Sequence, residues 1–84
     1  MKVRIKIFPG TGLSDKSQEQ EIYLNEGRLN ELIAELQERL GVDLFDSLDE
    51  RLMLLHNGRA LGKCENVIFK DEDQLWLLPR ISGG

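Results

Sequence analysis

Residues 28–41, RLNELIAELQERLG, carry a helical repeat. Leu29, Leu32, Ile33, Leu36 and Leu40 recur at spacings of three and four and share one stripe, while Glu31, Glu35, Glu38 and Arg39 fall on the other faces. Gly41 suits the left-handed position after a helix. An apolar stripe could bind a partner helix. A two-faced sheet that needs cover on one side is the stronger claim on it, so the stripe is assigned to the core.

The flanking segments supply that sheet. In residues 2–8, Val3, Ile5 and Ile7 alternate with Lys2, Arg4 and Lys6, the period of a strand with its apolar side inward. Pro9-Gly10-Thr11-Gly12 breaks this strand, and the aperiodic polar residues 14–20 read as a mobile hairpin loop. A second strand is expected over 21–24, with Ile22 and Leu24 inward, pairing with the first. Beyond the helix, Asp43, Asp46, Asp49 and Glu50 lie in a polar connection. Residues 51–56 read as a third strand ending in the tight-turn pair Asn57-Gly58, and Leu61 returns as a short strand. Residues 62–70 are irregular, Asp71-Glu72-Asp73 marks an exposed acidic turn, and the apolar run 74–78 is short enough for a buried strand ended by Pro79.

Strand, strand, helix, strand, short strand, strand is an α+β order. It allows the helix to cross one face of a mixed sheet of four to five strands whose first and last members lie adjacent and parallel, which is the β-grasp, or ubiquitin-like, arrangement. Alternation from Gln74 and Arg51 turns Leu75, Leu77, Leu52 and Leu54 inward. It leaves Trp76, Leu78, Leu55, Met53 and Phe8 as an apolar patch on the open face, where such patches mark docking sites and Trp is enriched as an anchor. A loop folded over the patch is the bland alternative.

At 84 residues the chain has room for one domain, expected over 1–78, with 79–84 as a flexible Gly-Gly tail. Fifteen acidic and eleven basic residues give a net charge of -4, which disfavours a nucleic-acid partner, and the alternating cations of the first strand are explained by a solvated face. No run approaches the roughly 20 apolar residues of a membrane span, and the first residues alternate rather than form a signal-peptide core. Cys64 is the single cysteine, so no intrachain disulfide forms, and a reducing, cytoplasmic setting is expected. His56 and Cys64 are solitary, Asp71 and Asp73 lack a regular oxygen-ligand loop, and no nucleophile–base motif is present, so neither a metal site nor a catalytic role for the chain alone is expected.

Beyond Pro79 the chain reads Arg80-Ile81-Ser82-Gly83-Gly84, and six residues from Pro79 span at most about 20 Å. Two glycines remove side-chain obstruction beside a terminal carboxylate and let a narrow channel close around bare backbone.

Four stretches, MKVRIKIF (1–8), LNEGRLNELIAEL (24–36), HNG (56–58) and KDEDQLWLLPRISGG (70–84), resemble the sulfur-carrier family of β-grasp proteins. That family includes the small subunit of molybdopterin synthase and the thiamine-pathway sulfur carrier. The resemblance covers essentially the whole chain, and the last stretch is its most specific part. The ending is similar to the Pro-Pro-Val-Ser-Gly-Gly style of molybdopterin synthase small subunits. Arg80 stands where a second proline is common, Glu72 where the acidic turn usually has a glycine, and Arg28 where a Ser or Thr cap is typical.

The resemblance implies that an E1-like adenylating enzyme uses ATP to activate the Gly84 carboxylate, and that a sulfur donor protein displaces AMP to leave a thiocarboxylate. Adenylation is needed because an ionised carboxylate resists nucleophilic attack until one oxygen becomes a leaving group. For the pterin branch, the resemblance implies that Pro79, Arg80, Ile81, Ser82 and Gly83 enter the active site of the large catalytic subunit of molybdopterin synthase, with Gly84 as the reacting residue in molybdenum or tungsten cofactor synthesis. The thiamine-pathway carrier is the nearest alternative. A ubiquitin-like modifier or interaction module is the rival from another class, and Arg80 gives the tail a modifier-like basic residue.

Overall fold

The computed structural model describes residues 1–80 apart from Ser14, Val42, Asp49, Lys63 and Cys64. The elements are β1 (Lys2–Ile7), β2 (Gln18–Tyr23), α1 (Leu29–Leu40), α2 (Leu44–Ser47), β3 (Leu52–His56), β4 (Arg59–Leu61) and β5 (Gln74–Pro79). The sheet order is β2-β1-β5-β3-β4, with β1 and β5 parallel at the centre and the other pairs antiparallel. This is the expected mixed sheet, with five strands.

One core joins the sheet to the helix. Val3, Ile5, Ile7, Ile22, Leu52, Leu54, Leu75 and Leu77 meet Leu29, Leu32, Ile33 and Leu36 of α1 in a single buried cluster, and Leu40 packs at its margin. Every one of these inward assignments follows from the period of two or of 3.6 read in the sequence. Each fully buried leucine or isoleucine contributes about 1.5–3 kcal/mol relative to exposure, so the cluster is the principal source of stability.

The ends of α1 solve their hydrogen bonding differently. Gly41 adopts the left-handed conformation and donates its N–H to the Gln37 carbonyl at 2.9 Å. Arg28 stands at the N-cap and offers no capping side chain. Glu31 reaches back instead, and its carboxylate accepts the backbone N–H groups of Asn25, Glu26 and Gly27. The Asn25 N–H first, then the neighbouring amides, hold the Glu31 carboxyl below its ordinary range.

Several expectations are corrected. The second strand begins at Gln18, because residues 18–20 pair with Ile7, Lys6 and Ile5 through backbone hydrogen bonds that need no side-chain periodicity. The preceding loop is tethered: Thr11 is buried and Leu13 packs against the core. The polar connection contains α2, a single turn too short to show a period, which buries Leu44 and Ser47 and leads to the buried Leu48. The third strand starts at Leu52, while Arg51 precedes it and donates from Nη2 to Ser47 Oγ at 3.1 Å. The irregular segment delivers Phe69, 1% exposed, into the core, and its N–H donates to the Gly27 carbonyl at 2.7 Å.

Candidate docking face and tail exit

Strand register builds the open face. Leu55 pairs with Trp76 and Met53 with Leu78, so the four apolar side chains expected outside do share the side opposite α1. Phe8 joins them: its ring centroid lies 5.4 Å from that of Trp76 with planes at 62°, an edge-to-face contact. Trp76 is 47% exposed, and Phe8, Met53, Leu55 and Leu78 are half-buried. None of the described loop residues covers Trp76 to the point of burial.

Trp76 forms a ridge between two shallow depressions. One, of about 190 Å³, is lined by Leu55, Asn57, Gly58, Gln74 and Trp76. The other, of about 200 Å³, is lined by Arg4, Lys6, Glu19, Gln74, Leu75 and Trp76. Alternation in the sequence puts Gln74 and Lys6 on this outer side, and the register pairs Lys6 with Trp76. The turn residues Asn57 and Gly58 were not foreseen here and needed the β3–β4 geometry.

The charged half of the face is mostly self-neutralised. Lys2 Nζ lies 3.3 Å from Glu72 and 3.9 Å from Glu21, and Arg4 lies 3.8 and 3.9 Å from the same two carboxylates. Glu72 first, and Glu21 after it, hold the Lys2 ammonium above its ordinary pKa. Lys6 instead places Nζ 5.1 Å from the Phe8 ring centroid, within cation–π range. This accounts for the alternating cations of β1 as a solvated, paired surface.

The acidic turn fastens β5 to β1. Asp71 Oδ1 accepts the Lys2 N–H at 2.7 Å, Glu72 N–H donates to the Lys2 carbonyl at 2.6 Å, and Arg4 N–H donates to the Asp73 carbonyl at 2.9 Å. Asp73, expected to be exposed, is drawn partly inward, where its carboxylate accepts from Lys70 N–H at 2.9 Å and stands 2.8 Å from His56 Nε2. Burial pushes the Asp73 carboxyl up, but the Lys70 amide and the His56 ring outweigh it and hold the carboxyl below its ordinary value. His56 also meets the Phe69 ring edge-on at 5.0 Å, which confirms it as a strand-end residue built into the fold. Glu72 has φ +71, the left-handed conformation that explains why a glycine suits this position.

The tail leaves from the far end of the same strand. Pro79 is the last residue of β5 and pairs with Leu52, and the Arg80 N–H donates to the Arg51 carbonyl at 2.8 Å. The sites assigned to Ile81, Ser82, Gly83 and Gly84, like Cys64, lie outside the described residues. Among the described residues no helix is long and apolar enough to cross a membrane.

No protein-family model matches the chain, and no curated protein matches it in sequence. Solved structures do match. SAMP1 from Haloferax volcanii superposes with a TM-score of 0.73 at 18% identity, covering 100% of both chains. A candidate molybdopterin converting factor subunit 1 from Pyrococcus furiosus gives 0.65 at 27% identity, covering 95% of this chain and 98% of that one. A complex of subunits 1 and 2 of the molybdopterin-converting factor from Helicobacter pylori gives 0.60 at 23% identity over 100% of both chains. These likenesses span nearly the whole of each chain, and with the strand order given above the chain has the β-grasp, ubiquitin-like fold.

Proposed function

We propose that this protein is a sulfur carrier acting in the synthesis of a molybdenum or tungsten pterin cofactor, as the small, non-catalytic subunit of a molybdopterin synthase. The observation that carries the reading is the continuity of β5: the strand that presents Trp76 and Leu78 on an uncovered face runs without interruption to Pro79, directly before Arg80 and the Ile-Ser-Gly-Gly sequence. A partner seated on the face is thereby next to the tail. The 27% identity with the Pyrococcus furiosus protein over nearly the full length of both chains supports the pterin branch.

In this reading the Gly84 carboxylate attacks the α-phosphate of ATP on an E1-like enzyme and pyrophosphate leaves; the persulfide of a sulfur donor protein then displaces AMP to give an acyl disulfide, and a second thiol cleaves its S–S bond, leaving the thiocarboxylate on Gly84 and a disulfide on the donor. The large catalytic subunit then docks on the open face and takes the sulfur from Gly84; the match to a complex of subunits 1 and 2 from Helicobacter pylori supports a partner of that kind. The carrier's contribution is position: two rigid aromatic rings give contact area at low entropic cost.

Intact-protein mass spectrometry of natively purified protein tests the reading. The expected result is a species ending at Gly84 and heavier by one oxygen-to-sulfur exchange. A second reading, a ubiquitin-like modifier, is favoured by the exposed Arg80 at the base of the tail. Finding the chain only as isopeptide conjugates on lysines would establish that reading in place of sulfur transfer.

A further inference from the structure

The base of the tail is gripped from two sides. On one side the Arg80 N–H donates to the Arg51 carbonyl at 2.8 Å, extending the β3–β5 ladder beyond the Leu52–Pro79 pair. On the other side the Pro79 ring rests on Gly10, where a Cβ would stand only 3.2 Å from Pro79 Cγ. Gly10, at φ +93, is itself held in place by its loop. The Thr11 hydroxyl donates to the Phe8 carbonyl at 3.0 Å and accepts the Leu13 N–H at 3.3 Å, and Leu13 is anchored on the core. Pro79 adds a fixed φ of its own.

We propose that Gly10, Pro79 and the Arg51 carbonyl form a clamp that fixes the point and direction at which the tail leaves the domain, making Gly10 and Pro79 positioning residues for transfer from Gly84. The inference rests on the sulfur-carrier reading for its functional consequence. Reach toward a partner is then counted over the four residues beyond Arg80, at most about 14 Å, where the same count beyond Pro79 gives five residues and about 17 Å. The partner that fits has an apolar seat for Trp76 and Leu78 and a channel whose reactive group lies no deeper than that reach. A tail aimed before docking also loses less orientational freedom when it enters the channel.

Gly12 provides the control. It shares the loop and a positive φ of +83, but a Cβ there would meet nothing within 4 Å. Hydrogen exchange of the Arg80 amide, measured by NMR on the full chain, is expected to be slowed about tenfold or more relative to an unstructured chain in wild type and Gly12→Val. It is expected to lose that protection in Gly10→Val and in Pro79→Ala, the second of which removes the contact without adding bulk. In single-turnover sulfur transfer at a saturating concentration of a large molybdopterin synthase subunit, the clamp variants should react about tenfold more slowly. Equal Arg80 protection in all four proteins overturns the clamp, and lost protection with an unchanged transfer rate overturns its positioning role. If wild type transfers no sulfur at all, the carrier reading fails, while the exchange comparison still decides whether the clamp exists.

Discussion

His56 Nε2 lies 2.8 Å from Asp73 Oδ2, so the end of β3 is tied to the turn that launches β5. Both side chains are largely shielded, at 14% and 17% exposure, and the carboxylate has a second donor in the Lys70 amide. The pairing bridges the two strands that carry Leu55 and Trp76.

Asp73 therefore sets part of the acid stability. Its folded-state pKa is depressed below the ordinary 3.8, so its contribution is present above that value and is lost as pH falls through the lower folded-state pKa. Asp73→Asn should lower stability by on the order of 1 kcal/mol near neutrality. Urea unfolding should show the wild-type advantage full at neutral pH and shrinking below about pH 4.

Glu31 is expected to matter as a loop fastener rather than as a surface charge. Glu31→Ala should lower the urea midpoint, and Glu31→Gln, which keeps an acceptor oxygen, should lower it less. The carboxyl is depressed in the folded state, so the advantage of wild type over Glu31→Gln should be present above the ordinary value of 4.5 and fade as pH falls below it.

Glu72 opposes a backbone cost with a charge network. Its left-handed conformation costs about 1 kcal/mol or more for a residue with a Cβ, while its carboxylate pairs with Lys2 and Arg4. Salt screens the exposed pairs and leaves the backbone term untouched. Glu72→Gly should gain stability relative to wild type as salt is raised, read as a difference in thermal midpoints at low and high ionic strength.

Trp76 and Leu77 are neighbours on one strand with opposite roles. Trp76→Ala should leave the fold nearly as stable but weaken binding of a docking partner by about 2 kcal/mol, roughly thirtyfold, in calorimetry. Leu77→Ala, at a position 0% exposed, should cost 2–5 kcal/mol of folding stability, with affinity retained in the molecules that remain folded. Equal binding by wild type and Trp76→Ala would argue against the open face as the docking surface.

The sequence by itself determined every side chain whose place follows from a repeat. Val3, Ile5 and Ile7, the α1 stripe, and the inward Leu75 and Leu77 are periodic, and solvent sorts a periodic element into two faces whatever its neighbours are. The same alternation placed Trp76, Leu78, Leu55 and Met53 together outside. Tertiary structure alone decided the aperiodic contacts. Gln18, Glu19 and Gln20 join β2 through backbone pairing with β1; Phe69 is buried by the irregular segment that carries it; His56 meets Asp73 across seventeen positions; Gly10, just past the end of β1, meets Pro79 at the end of the neighbouring β5. Such contacts depend on which strands become neighbours, a property of the whole chain's packing that no local spacing of residue types records.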